Sequence, residues 1–367
     1  MKQLLAKLVE SRPTEDVGEA GVAQALSDFF YAKCPRAAID MDIWNGNRAN
    51  FTTTLPGRTH GNKLVFIGHL DVVPAKAESW AKEPFRLTEE GDLLYGRGTT
   101  DMLGPLAAVA LAIAEFQQEG DFRGEIVFAA TAGEETDSCG ARKLVERFEK
   151  GDCPVAGIIV PEPTDMHLVN AHKGLLWLEF ITRGKTAHGS MPELGENAIL
   201  KMMEIAKKLT PEIFGPAAEH PTLGRSTISL NSIQGGLAPN VVPDFCSAVA
   251  DIRLLPGQTA EQIEDILSLI LDGAEYKTER LRYVEAFETP AADNFITKLS
   301  AITGKAPEAV FFTTDAPYLK PLTGSIAILG PGSPEMCHRP NEHIELHSLV
   351  EAKEIYKKIL REFCRMT

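Results

Sequence analysis

Apolar residues in this chain follow two alternating rhythms. Short runs rich in Val, Ile and Phe at 64–68, 125–131 and 156–160 read as buried strands. Between and before them the spacing becomes helical, over residues 2–9 and 18–33 and again over Met102–Gln118. In that last segment Leu103, Leu106, Ala107, Ala110, Leu111 and Ala114 follow helical spacing. Asp101 stands where a helix N-cap belongs, and Pro105 falls in the first turn, where proline is tolerated. Strands alternating with helices predict a largely parallel sheet covered on both faces.

The rhythm changes in the middle of the chain. Strand patterns at Leu175–Arg183, Thr227–Gln234, Phe245–Leu255 and Lys277–Glu288 enclose two helices, Asn197–Leu209 and Glu261–Leu271. This β-α-β-β-α-β order is the ferredoxin-like arrangement. After Pro290 the α/β pattern resumes, with a strand at Ile326–Leu329 and a C-terminal helix at Ser348–Cys364. The expected fold class is therefore α/β, one domain built from residues 1–173 and 289–367. An inserted α+β domain, 174–288, interrupts it. A chain of 367 residues is long enough for two such cores.

Composition narrows the partners. Hydrophobic content of 44% and 24% charged residues are ordinary for a soluble globular protein. A net charge of −14, with no clustered Lys and Arg, opposes binding to a nucleic-acid backbone. Cys34, Cys139, Cys153, Cys246, Cys337 and Cys364 are scattered without metal-type spacing and read as reduced thiols. The segment MKQLLAKLVESRPTE lacks the apolar core of a signal peptide, and the longest apolar stretch, near Leu103–Ala114, is too short to span a bilayer. A cytoplasmic location with no nucleic-acid or membrane partner is expected.

The chemistry sits just beyond the strands. His69 and Asp71 follow LVFIG, Asp101 precedes the apolar helix, Glu134 and Glu135 follow IVFAATAG, Glu162 follows GIIVP, and His338 follows IAILGPGSPEMC. In an open α/β sheet the strand carboxyl ends converge on one crevice. Each group alone has a plain alternative. His69 and Asp71 suit a surface turn, Asp101 a helix cap, and the glutamate pair a solvated acidic loop. On an extended stretch, though, Asp71 points the same way as His69 and could take the other imidazole N–H. Asp101 could equally bridge two cations. Two adjacent glutamates near a core are costly unless one ligates a cation and the other serves as a proton acceptor for water. Nitrogen and oxygen donors without thiolates suit zinc, with Co²⁺ or Mn²⁺ as substitutes, and five positions fit two ions sharing a carboxylate. His343 and His347 read as surface residues, and His60, His167, His172 and His220 as histidines without paired partners.

Taken in order, GHLDVVP, YGRGTTDMLG, AGEET, PEPT, GKTAHGSMPELGENAI, GGLAPNVVP, ADIRLLP, FFTTDAP and CHRPNE span nearly the whole chain. The set resembles the dinuclear zinc deacylase and exopeptidase family. HKG at 172–174 and TTDAP at 313–317 resemble its acetylornithine-cleaving branch, while Cys337 and the Leu103–Gly104 pair depart from the usual pattern. The resemblance implies two zinc ions, one held by His69, Asp101 and Glu162 and the other by Asp101, Glu135 and His338. It implies that Asp71 orients His69, that Glu134 is the general base, and that His188 comes from a partner subunit to polarise the scissile carbonyl. Asn240 and Arg253 match positions that contact substrate, Arg253 as a partner for its carboxylate. It further implies an N-acyl amino acid substrate and a homodimer formed through the inserted lid domain.

Overall fold

The continuous apolar runs do build the middle of a sheet. In the computed structural model, which describes residues 1–148, 154–215 and 219–364, strands Arg123–Thr131, Thr59–His69, Val155–Val160 and Ile326–Ile328 lie side by side, all parallel. Such strands are buried on both faces, which is why they lack polar alternation. Leu64 and Phe66 join the main helix-covered core, where the Phe66 ring meets Tyr356 edge-on at 5.6 Å. Val65 and Ile67, equally buried, alternate to the opposite side.

Contacts divide the chain into two compact units. The first comprises Met1–Asn170, Thr289–Glu308 and Thr314–Thr367; the second comprises Ala171–Glu288 with Ala309–Thr313. In the first unit the sheet is parallel only at its centre. A hairpin, Ala38–Trp44 and Arg48–Pro56, pairs antiparallel along Arg123–Thr131. This hairpin is not among the elements expected from the hydrophobic pattern. Its signals are an alternating AIDMDIW and an Asn45–Gly46 turn, where both residues adopt the positive φ a tight hairpin requires.

The helix expected at Met102–Gln118 runs from Leu103 to Phe116, and all its residues but Leu111 and Glu115 are buried. It is a core helix rather than a surface one. Its N-cap is Met102, without a side-chain cap. Asp101 is thus not the cap that its position suggests; its carboxylate turns the other way. Helices Lys2–Glu10, Ala20–Lys33, Asn294–Thr303 and Leu346–Cys364 also contribute to this core, and the Tyr356 hydroxyl donates to the Leu329 carbonyl at 2.8 Å.

The second unit is a four-stranded antiparallel sheet in the order Thr227–Gly235, Phe245–Leu254, Gly174–Arg183, Lys277–Val284. Helices Ala198–Lys208 and Ala260–Ile270 bury Met202, Ile205, Ile263 and Leu267 against Leu176, Leu178, Phe180, Ala248, Ala250 and Ile252. Both helices start where polar caps stand: the Asn197 side chain accepts from Ile199 and Leu200, and Thr259 forms a capping box with Gln262. Strand order and connectivity are those of the ferredoxin-like arrangement. The last expected strand, 277–288, divides: Phe287–Glu288 is a separate short strand paired with Ala171 and His172.

Candidate metal centre

Register places the ligand-bearing exits together. His69 ends its strand opposite Thr131, and Leu70 N–H donates to the Thr131 carbonyl at 2.7 Å. Leu329 N–H donates to the Val160 carbonyl at 2.9 Å, setting the chain before His338 beside the chain before Glu162. Two glycines make room. A Cβ on Gly68 would stand 2.6 Å from Met102 Cε and 2.9 Å from Leu106 Cδ2, so glycine here lets those two side chains pack directly against the strand before His69. Gly98 holds φ +85°, and a side chain there would meet Leu103 and Val72.

Five of the residues singled out in the sequence assemble into two overlapping groups. His69, Asp101 and Glu162 form one; Asp101, Glu135 and His338 form the other, each with its donor atoms within 4.8 Å of one another. Asp101 Oδ1 lies 3.0 Å from His69 Nε2, and Asp101 Oδ2 lies 3.3 Å from His338 Nε2. His69 Nε2 is 3.7 Å from Glu162 Oε1, and His338 Nε2 is 2.9 Å from Glu135 Oε1. One carboxylate thus presents a different oxygen to each imidazole.

Burial and crowded charge together perturb the five candidate ligands and Glu134. Burial above all, with Asp101 and Glu135 adding and His69 opposing, pushes Glu162 up to about 8. Burial opposes a charged His69, yet Glu162, Asp101 and Asp71 together raise it well above its ordinary value. Hydrogen bonds to Asp101 and Glu135 lift His338 to about 10. Asp101, despite burial, is held low by the His338 and His69 hydrogen bonds. Glu134 is raised well above the carboxylate range, first by burial and then by the charge of Asp315. Imidazoles and carboxylates held this close, around one shared Asp, are a donor set that divalent cations would relieve.

Asp71 meets His69 through a different atom from the one expected. The His69 Nδ1 contact is with the Asp71 backbone carbonyl at 2.8 Å, and the carboxylate stays 3.8 Å away. That carboxylate instead accepts from the backbone N–H groups of Gly133, Glu134 and Glu135, at 2.8, 3.2 and 3.1 Å. It therefore holds the turn that carries both glutamates.

Two acidic residues at the site were not singled out in the sequence. Asp315, in TTDAP, is 4% exposed, receives the Thr131 hydroxyl at 3.4 Å and is the strongest charge acting on Glu134. Glu342, in CHRPNE, is fully buried against Arg97 and the loop before Asp101. Only their nearness to other motifs could have flagged them.

The remaining residues that the resemblance singled out lie in the second unit. His188 is exposed and bridges to Val241, with Nδ1 2.8 Å from Ser190 Oγ; Gly189 N–H donates to the Asn240 carbonyl at 2.7 Å. The structure thus brings the His188 and Asn240 segments together. Arg253 already has its guanidinium on Asp251, at 2.7 and 3.0 Å. Just before the unit's first strand, Lys173 donates to the Arg225 carbonyl at 2.6 Å and lies 5.2 Å from the Phe311 ring centre. Burial and then the charge of Arg253 lower its ammonium below its usual range. His347 is exposed and paired with Asp92, whereas His343 is half-buried against Tyr95. His167 and His220, expected without partners, face Glu308 and Glu288 at 2.8 and 3.3 Å.

A fold of this kind with two overlapping ligand groups at its strand ends defines a metallohydrolase. The chain belongs to peptidase family M20/M25/M40, whose family model matches residues 65–362. Among curated relatives, acetylornithine deacetylase of Buchnera aphidicola subsp. Acyrthosiphon pisum (strain APS) is 33% identical over 313 residues, covering 82% of this chain and 81% of that protein. Acetylornithine deacetylase of Pectobacterium carotovorum subsp. carotovorum (strain PC1) is 30% identical over 316 residues, covering 82% and 80%. In fold, the chain is similar to an M20 family metallo-carboxypeptidase from Sulfolobus solfataricus, with a TM-score of 0.81 at 16% identity over 99% of this chain and 98% of that one. A dinuclear metal-binding peptidase of the M20 family from Bacillus subtilis gives 0.69 at 15% identity, over 99% and 100%. The chain is thus a hydrolase of amide bonds.

Proposed function

We propose that this protein removes the acyl group from an N-acyl amino acid, with an N²-acetylornithine-type substrate, as a step of arginine biosynthesis in the cytoplasm. The metal-centre part of the reading is carried by Asp101, whose two carboxylate oxygens face His69 and His338 separately, and the substrate is supported by relatives named acetylornithine deacetylase. In this reading His69, Asp101 and Glu162 hold one zinc ion, and Asp101, Glu135 and His338 hold the other, with Co²⁺ or Mn²⁺ as substitutes. Ions held there would supply Lewis acidity for a carbonyl oxygen and for water.

The chain's own groups move the proton. Glu134, raised by burial and by Asp315, takes a proton from the attacking water as the new C–O bond forms. It then returns that proton to the amine nitrogen as the C–N bond breaks. Asp71 keeps Glu134 and Glu135 in register by accepting their backbone N–H groups. His188, supplied by the second copy in a homodimer, donates to the developing oxyanion. Asn240 contacts substrate, and Arg253 takes the substrate carboxylate by exchanging its fork from Asp251.

A panel of acetylornithine, succinyl-diaminopimelate, other acetyl-amino acids and dipeptides tests the reading by kcat/KM. Acetylornithine should lead; preference for the succinyl compound or for dipeptides would move the protein to the desuccinylase or peptidase branch. In the same assay Glu134→Ala should lower kcat by about 10²–10⁴ while bound metal stays at the wild-type level.

A further inference from the structure

The loop that presents Asp101 has little regular structure of its own. It runs from the end of strand Leu93–Tyr95 to helix Leu103–Phe116, and Gly96, Arg97, Gly98, Thr99, Thr100 and Asp101 are all buried. Buried backbone N–H groups need acceptors. One side chain serves three of them. Glu342 Oε2 accepts from Gly98 N–H at 3.1 Å, and Oε1 accepts from Thr100 and Asp101 N–H at 2.9 and 3.0 Å. Arg97 Nη1 donates to Oε2 at 2.6 Å, and its guanidinium lies 5.1 Å from the Trp80 ring centre. The main chain adds two further ties: Gly96 N–H donates to the Glu342 carbonyl at 3.0 Å, and the Thr100 hydroxyl donates to the His343 carbonyl at 2.7 Å.

A buried carboxylate is costly unless a cation and hydrogen bonds satisfy it, and here both are present. The clamp ties two ligand-bearing segments, since Glu342 follows His338 by four residues. We propose that Glu342, backed by Arg97, is a positioning residue for the metal centre: it fixes the Asp101 main chain so that one carboxylate oxygen faces His69 and the other faces His338. The inference rests on the two-metal proposal and assigns Glu342 no contact with substrate or metal.

The chemistry of an amide makes the proposal sharp. In Glu342→Gln one acceptor oxygen becomes an NH₂ donor. Whichever way the amide turns, that donor faces either the backbone N–H groups or the Arg97 guanidinium, so one side of the clamp is lost. Titration of the metal-free protein with Zn²⁺, and with Co²⁺ followed by its visible spectrum, reads the result directly. Wild type should take up two ions per chain. Glu342→Gln should weaken uptake by roughly 10–100-fold, the usual cost of losing an outer partner of a ligand, with the Co²⁺ spectrum altered. Arg97→Lys, which keeps both carboxylate oxygens and a positive charge, should show a smaller loss of the same kind and covers the case in which Glu342→Gln does not fold. Tyr356→Phe, which removes a buried hydrogen bond elsewhere in the core, should lower stability and leave metal uptake unchanged. Two ions bound to Glu342→Gln with wild-type affinity and spectrum would overturn the positioning role alone. A wild-type chain that takes up no divalent ion would overturn the two-metal proposal and this inference with it.

Discussion

Asp101 shows how much one residue's surroundings decide. Its place before an apolar helix fits a cap, yet Met102 takes that position and the Asp101 carboxylate faces two imidazoles instead. Asp71 shows the same at a neighbouring residue, since its carboxylate grips the Gly133–Glu135 backbone while its carbonyl meets His69. Charge crowding at this scale predicts a pH dependence. Glu162 is raised to about 8, so after chelation the folded chain keeps a proton that the unfolded chain has released. That stabilising contribution is complete below about pH 4 and disappears as pH rises through 8. His338, raised to about 10, acts with the same sign: its contribution is complete below about pH 6.5 and is lost through 10. The chelator-treated protein should therefore lose thermal stability steadily between about pH 5 and pH 9, and saturating Zn²⁺ should flatten that slope. A melting series with and without metal checks this, and a slope of the opposite sign would refute the assignment.

Among the elements, those with a strong rhythm are legible from the chain's periodicity. Three of the parallel strands, the helix at 103–116 and both helices of the second unit stand within two residues of the expected bounds, because burial on both faces or on one stripe leaves a plain mark. The strand expected at 64–68 begins earlier, at Thr59, in a more polar stretch. The Ala38–Pro56 hairpin does not stand out in that way. It flanks the sheet, mixes Asp, Asn and Thr into its strands, and shows its turn rather than a hydrophobic run. Element packing also explains Gly68. Gly68→Ala would press a methyl against the side-chain tips of Met102 and Leu106, which would have to shift within a fully buried core. It should destabilise the fold by about 1–3 kcal/mol, the usual cost of overpacking a core. Urea unfolding followed by circular dichroism measures the loss, and an unchanged midpoint would mean the two side chains can yield.

The molecule as a whole divides into two compact units, one of them drawn from both ends of the chain. Among the described residues no helix is long and apolar enough to cross a membrane. The homodimer we propose finds support in the second unit, where edge strand Thr227–Gly235 and the loop after it leave Ile233 51% and Leu237 92% exposed. Ile233→Asp combined with Leu237→Asp should turn a particle of twice 40.0 kDa into one of 40.0 kDa by light scattering. A wild-type chain that already runs at the smaller mass would remove the dimer from the proposal. The sequence alone determined the periodicities, hence the elements and the fold class, and it determined which side chains could bind metal, since these are properties of neighbouring residues. Only the tertiary structure decided which atoms meet. It set Asp101 between two imidazoles, turned Asp71 onto the glutamate turn and buried Glu342 behind the Asp101 loop. Those contacts join residues up to more than two hundred positions apart along the chain, and no local pattern encodes a distance that only packing can close.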